Sequence, residues 1–349
     1  MTQLDRRSLF KSAAGGAALT MLDVRGMAWA QQRLVVKTFT GQWNVGARET
    51  AATPFERSTG ASVTLVAVNS VEAIAKLKAS AGSPPYDVLL VDEGPRAQAI
   101  AQGLLSPVPL DRIPNARNIY PQLRVDDGYG PRQSCSVMGI AYDPKRVERP
   151  QSWADLWAPK YKGKIALNPG SATLGISFMV VAAKLNGGGE RDIGSGFDAI
   201  KRLVPSVVSI PNTPAVLATL FERGEVSIAP LWNTNTLALK AKGVSIDWVA
   251  PKEGAVGSYG HAEIAKGTAV ADLAVKFIDQ VLSLDSQSGM ANSPYFSGPV
   301  HKDVRLPPET AAYVPSTEEA VAALQRLDWK TINENREAWL ERWDREIRL

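Results

Sequence analysis

From residue 33 onward, short runs rich in β-branched residues alternate with longer segments of helical period. Residues 33–39 predict a strand, a turn-like junction over 40–44 opens a helix through Ser58, and Gly60 closes it before a second strand over 62–68. Such a βαβ unit implies a parallel sheet. A helix over 71–81 breaks at Pro84 and Pro85, and a buried strand over 87–91 runs out at Asp92-Glu93-Gly94-Pro95, where Pro95 suits the first turn of a helix reaching Gln102. After a strand over 137–141, Ser152 is placed to cap a turn over 153–157. A strand ending at Leu167 then feeds a small-residue loop, 168–175, at the head of a helix over 173–185.

The alternation continues with a helix over 197–203, a strand over 207–210, a helix over 213–223 and a strand over 226–229. A polar loop over 230–236, a helix ending at Gly243 and a strand over 245–249 follow. Helices over 270–284, 287–292, 308–312, 317–324 and 329–347 close the chain, the last amphipathic with Trp329, Ile332, Trp339 and Trp343 on its apolar face. The class is α/β, and 349 residues exceed what one hydrophobic core fills, so two lobes are expected.

The first 30 residues stand apart from this pattern. Asp5-Arg6-Arg7-Ser8-Leu9-Phe10-Lys11 resembles the twin-arginine export motif. A short Gly/Ala-rich apolar run and Ala28-Trp29-Ala30 follow it, so 1–30 reads as a removable signal and the mature chain as periplasmic. Its removal takes away four basic and two acidic residues and lowers the net charge from +4 to +2. A charge that small, without a Lys/Arg cluster interleaved with aromatics, implies neither a nucleic-acid partner nor a membrane surface. A single cysteine, Cys135, rules out an internal disulfide and reads as buried. Two histidines, no G-x-S-x-G, no adjacent tyrosines and no H-x-x-H leave little for an exported enzyme or a metal carrier, and no cofactor is expected.

Several blocks together resemble the spermidine/putrescine-type periplasmic solute-binding proteins of ABC transporters: Tyr86-Asp87-Val88-Leu89-Leu90-Val91-Asp92, Gly139-Ile140-Ala141-Tyr142-Asp143-Pro144-Lys145, Ser152-Trp153-Ala154-Asp155-Leu156-Trp157 with Tyr161-Lys162-Gly163-Lys164, Trp232-Asn233, Ala250-Pro251-Lys252-Glu253-Gly254, and the C-terminal Trp329, Trp339 and Trp343. The resemblance implies a two-lobed periplasmic-binding-protein fold, two doubly wound sheets joined by hinge strands. The lobes are expected at 33–140 plus 265–349 and at 141–264. It implies a monomer that closes on one small-molecule solute and delivers it to a membrane permease.

In such a sheet the loops at strand ends line the ligand crevice. Candidate ligand residues are therefore Gly41, Gln42 and Trp43, then Asp92, the pair Arg132 and Ser134, the loop residues Ser171, Ala172 and Thr173, then Trp232 and Asn233, and finally Tyr259 and His261. Plainer roles compete: the tryptophans as core, Asp92, Ser171 and Thr173 as helix caps, Arg132 as a structural ion pair, His261 as a packed residue. The polyamine relatives hold ammonium groups with carboxylates. The loop 168–175 has no acid, and the positions matching a second acid and a tryptophan fall near Gly260 and Ser258. Hydroxyls and backbone N–H groups at 170–173 favour a carboxylate, phosphonate or hydroxylated solute, so the expected ligand is a carboxylate-bearing anion or zwitterion, with Arg132 for the carboxylate and Asp92 for an amine, and polyamine binding is the alternative.

Overall fold

The computed structural model describes residues 32–80, 82–211 and 214–349; the signal segment expected at 1–30 lies outside the described residues. The ten strands among them are β1 (Arg33–Thr38), β2 (Ser62–Ala67), β3 (Val88–Asp92), β4 (Leu105–Ser106), β5 (Arg132–Tyr142), β6 (Ile165–Ala166), β7 (Val207–Ser209), β8 (Ile228–Trp232), β9 (Asp247–Val249) and β10 (Val256–Ala265). The expected parallel unit is present: β1 lies between β2 and β3, parallel to both. A second parallel set, β8 with β6 and β6 with β7, forms the other half. The fold is the two-lobed α/β arrangement, its two parallel sets joined in one ten-stranded sheet.

The halves meet through β5 and β10, which pair antiparallel from Arg132–His261 to Met138–Val256. β10 then carries on beside β3, while β5 carries on beside β8 and β9. The ladder has no gap, so the hydrogen-bonded order β2-β1-β3-β10-β5-β8-β6-β7 crosses the whole molecule.

β5 begins five residues before the strand expected at 137–141. The polar run Arg132-Gln133-Ser134 reads as a turn, yet it is part of the ladder because its polar groups find partners. Gln133 Nε2 donates to Ser134 Oγ at 2.8 Å, and the Gln133 carbonyl accepts from Gln287 Nε2 at 2.9 Å. The loops expected after 91 and over 230–236 are also absent. β3 and β8 run straight into the helices Glu93–Ala101 and Asn233–Ala241, so Asp92 and Trp232 are strand ends.

The block 152–161 is scaffold. Ser152 accepts from the Ala154 N–H, and Trp153 and Trp157 send their indole N–H groups to the carbonyls of Gly254 (2.9 Å) and Ala199 (2.8 Å). The C-terminal helix Trp329–Glu346 buries the four predicted residues. It touches both halves: Trp329 lies against Gly94 and Trp343 against Gly170, with Asn333 donating to the Gly94 carbonyl at 2.8 Å.

Candidate functional site

Where β1, β3, β5, β8 and β10 converge they enclose a cavity of about 280 Å³. One wall comes from the end of β1 and the helix that follows. Phe39 and Trp43 meet edge to face with ring centroids 5.4 Å apart, and Thr40 lies beside them. Gly41 makes this turn with φ 67°, a left-handed conformation that a side chain would strain. The floor is the crossing pair: Ser134 and Ser136 on β5 face Gly260 and Ser258 on β10, each pair in direct register. The opposite wall is Trp232 with Thr234 and Asn235 from the second half, and Thr173 at the head of the helix Thr173–Leu185. That helix begins at Ala172 without a side-chain cap, so its first-turn N–H groups are not taken by a capping oxygen.

Among the described residues, Asp92 is the one charged side chain lining this cavity. It does not cap the helix after it. Its Oδ2 accepts from Ser70 Oγ at 2.7 Å, and Ser70 Oγ in turn accepts from the ammonium of Lys37 at 3.1 Å.

Of the thirteen residues expected at the site, the structure brings five together: Trp43, Asp92, Ser134, Thr173 and Trp232. Gly41, Gln42, Ser171 and Ala172 are next to lining residues without lining it; Gly41, Gln42 and Ser171 are exposed, and the Ser171 carbonyl accepts from Arg336 at 2.8 Å. Asn233 is fully buried and structural, accepting from the Val137 N–H at 3.0 Å and donating to the Tyr313 carbonyl at 3.0 Å.

Arg132, Tyr259 and His261 are placed away from the cavity for one shared reason: a buried ionic cluster claims them. Arg132 donates to Glu93 at 2.7 Å and stacks on the Tyr259 ring at 4.2 Å. His261, with its Nδ1 3.3 Å from the Gly130 carbonyl, lies between Glu93 (3.7 Å) and Glu263 (3.9 Å). Glu263 has no exposure and holds Arg96 at 2.5 Å and the Gly130 N–H at 2.8 Å; Arg96 also makes a two-pronged pair with Asp127. Burial pushes Glu93 up, but His261 and Arg132 outweigh it and hold its carboxyl below the usual range. At 3.7 Å the histidine is beyond hydrogen-bond reach, so the 2.7 Å arginine pair is the stronger contact.

Phe39, Thr40, Ser136, Thr234, Asn235, Ser258 and Gly260 line the cavity but were not among the candidates. A signal was available for the floor. Ser134-x-Ser136 and Ser258-x-Gly260 each put small residues on one face at the strand period of two.

The bacterial extracellular solute-binding protein family matches residues 50–317. The spermidine/putrescine-binding periplasmic protein of Escherichia coli is 27% identical over 218 residues, 58% of this chain and 60% of that protein, so the match spans about three fifths of the relative's length. A crystal structure of an ABC transporter protein from Clostridium perfringens superposes with a TM-score of 0.79 at 28% identity, covering 90% of this chain and all of that one. A putative extracellular solute-binding protein from Bordetella parapertussis gives 0.80 at 25% identity, covering 91% and 100%. With the family match over most of the chain and a cleft between two α/β halves, the protein belongs to the bacterial extracellular solute-binding proteins.

Proposed function

We propose that this protein is the solute-binding component of an ABC importer, working outside the inner membrane, and that its solute is a small zwitterion carrying an amine and a carboxylate. The observation that carries the ligand reading is the pairing across the cavity of Asp92 with the uncapped helix head at Thr173. A carboxylate on one wall suits an ammonium, because an ammonium taken from water without a partner costs several kcal/mol. Backbone N–H groups and a hydroxyl on the other suit a carboxylate. Phe39, Trp43 and Trp232 supply flat apolar walls between the two. With Arg132 committed to Glu93, no cation lines the cavity among the described residues to receive a simple anion. With one carboxylate, it has no second anchor for a diamine such as the E. coli relative's name describes.

The moving lobes are 33–140 with 265–349, and 141–264, turning about β5 and β10. A solute that touches both walls shifts the population toward the closed form that a permease recognises. Export through the twin-arginine segment places the mature chain where such a permease is met. Among the described residues, no helix is long and apolar enough to cross a membrane.

Isothermal titration with amino acids, dicarboxylates and polyamines tests this reading. Zwitterions should bind, and a zwitterion at about 100 times its dissociation constant should raise stability by roughly 2.7 kcal/mol. Binding of dicarboxylates or polyamines with zwitterions silent overturns it.

A further inference from the structure

Lys37 is an unusual residue for its place. It lies in β1 between β2 and β3, in a run otherwise made for a buried sheet, and its side chain has no exposure. A buried ammonium is costly unless its donors are used. Here they are: Lys37 Nζ donates to the Leu90 carbonyl at 2.7 Å and to Ser70 Oγ at 3.1 Å, and it lies 4.2 Å from the centre of the Phe39 ring. Phe39 and Asp92 are both cavity walls. One hydroxyl, that of Ser70, links the ammonium to the cavity carboxylate.

We infer that Lys37 is a specificity-determining residue: its ammonium, fixed behind the wall that carries Asp92, balances that carboxylate and makes the cleft select solutes of no net charge over diamines. The inference rests on the zwitterion reading above. Asp92 alone would leave the cavity with a net charge of minus one and favour any cation. With Lys37 behind it, a ligand's first ammonium can still meet the Asp92 oxygens directly, while a second positive charge finds a field already cancelled. The permitted solute then carries its own negative group to the Thr173 side.

A second consequence follows in pH. Burial lowers the Lys37 ammonium to about 8, with Asp92 pulling it back up. Of the groups packed on Lys37 from β2, β3, the helix Ser70–Ala79 and the Phe39 wall, Asp92 is the one that acts on it by charge. Between pH 7 and 9 Lys37 loses its proton, while the amines and carboxylates of simple solutes largely keep their charges. The preference against diamines should therefore weaken as the pH rises.

The test compares ω-amino acids with diamines of the same chain length, five and six carbons so that both ammonium groups stay charged, by isothermal titration at pH 7 and pH 9, on wild type and Lys37→Met. Wild type at pH 7 should favour the amino acids. Lys37→Met should move the affinity ratio toward diamines about tenfold, the scale of one unit charge acting over about 12 Å at an effective dielectric of about 20. Wild type should move the same way at pH 9, and the variant should not. A folded variant with an unchanged ratio, and a wild-type ratio flat in pH, overturns the role of Lys37 and leaves the zwitterion reading intact. Wild type that favours diamines at pH 7 overturns both. If Lys37→Met does not fold, the wild-type pH comparison decides alone.

Discussion

Asp92 and Glu93 are neighbours in sequence and belong to different machines. Asp92 ends β3 and faces the cavity, with Ser70 as its partner among the described side chains. Glu93 begins a helix and faces the buried cluster of Arg132 and His261. One peptide bond separates a carboxylate that lines the cavity from one whose charge is spent inside the protein. At a strand-to-helix junction the side-chain direction turns sharply, so adjacent acids need not share a role.

Glu263→Ala should show the largest effect on this contrast. It leaves the buried Arg96 with Asp127 alone and the Gly130 N–H without its acceptor, and should lower the unfolding free energy by about 3 kcal/mol, read by urea denaturation. A loss below about 1 kcal/mol would make the buried cluster idle. Asp92→Asn should cost less stability than Glu263→Ala, through the buried Lys37 it leaves without a counter-charge, while lowering affinity for an amine-bearing solute by about 1.5–3 kcal/mol in calorimetry. Equal affinity would move the amine elsewhere.

A smaller effect should separate the two acids in pH. The Glu93 carboxyl is held below its ordinary range, so its contribution is fully present above the unfolded value, near 4.3, and is lost as the pH falls through the folded one. Between pH 6 and pH 3, Glu93→Gln should therefore lose less stability than wild type. Parallel urea curves for the two proteins would show that the Arg132 pair adds nothing.

The sequence carried the alternation of strands and helices, the two crossings and the Trp153 scaffold, because each has a local period or cap that is visible in a single chain. It also pointed to Trp43, Asp92, Thr173 and Trp232 through their places at strand ends and helix starts. It did not reveal that Arg132, Tyr259 and His261 belong to a buried cluster, because Glu93, from the helix after β3, and Arg96, which holds the Glu263 two places from His261 on β10, are brought to them only by the fold. Asn233 was misplaced by one step, since the strand before it runs directly into a helix and turns its side chain inward. The serine floor was legible as alternation, but only once Arg132–Ser136 is taken as strand.

The C-terminal helix carries a last consequence. Its 18 residues make a rod about 27 Å long, with an indole near each end resting on a glycine of a different half. An added Cβ would come within 3.1 Å of Trp329 at Gly94 and 2.8 Å of Trp343 at Gly170, so both seats are tight. If the halves turn about β5 and β10 as proposed, a rod of fixed length cannot follow both, and one indole must lift from its seat and meet water. A shift of tryptophan emission on adding solute, lost in Trp343→Phe or Trp329→Phe, would then report the turning of the lobes.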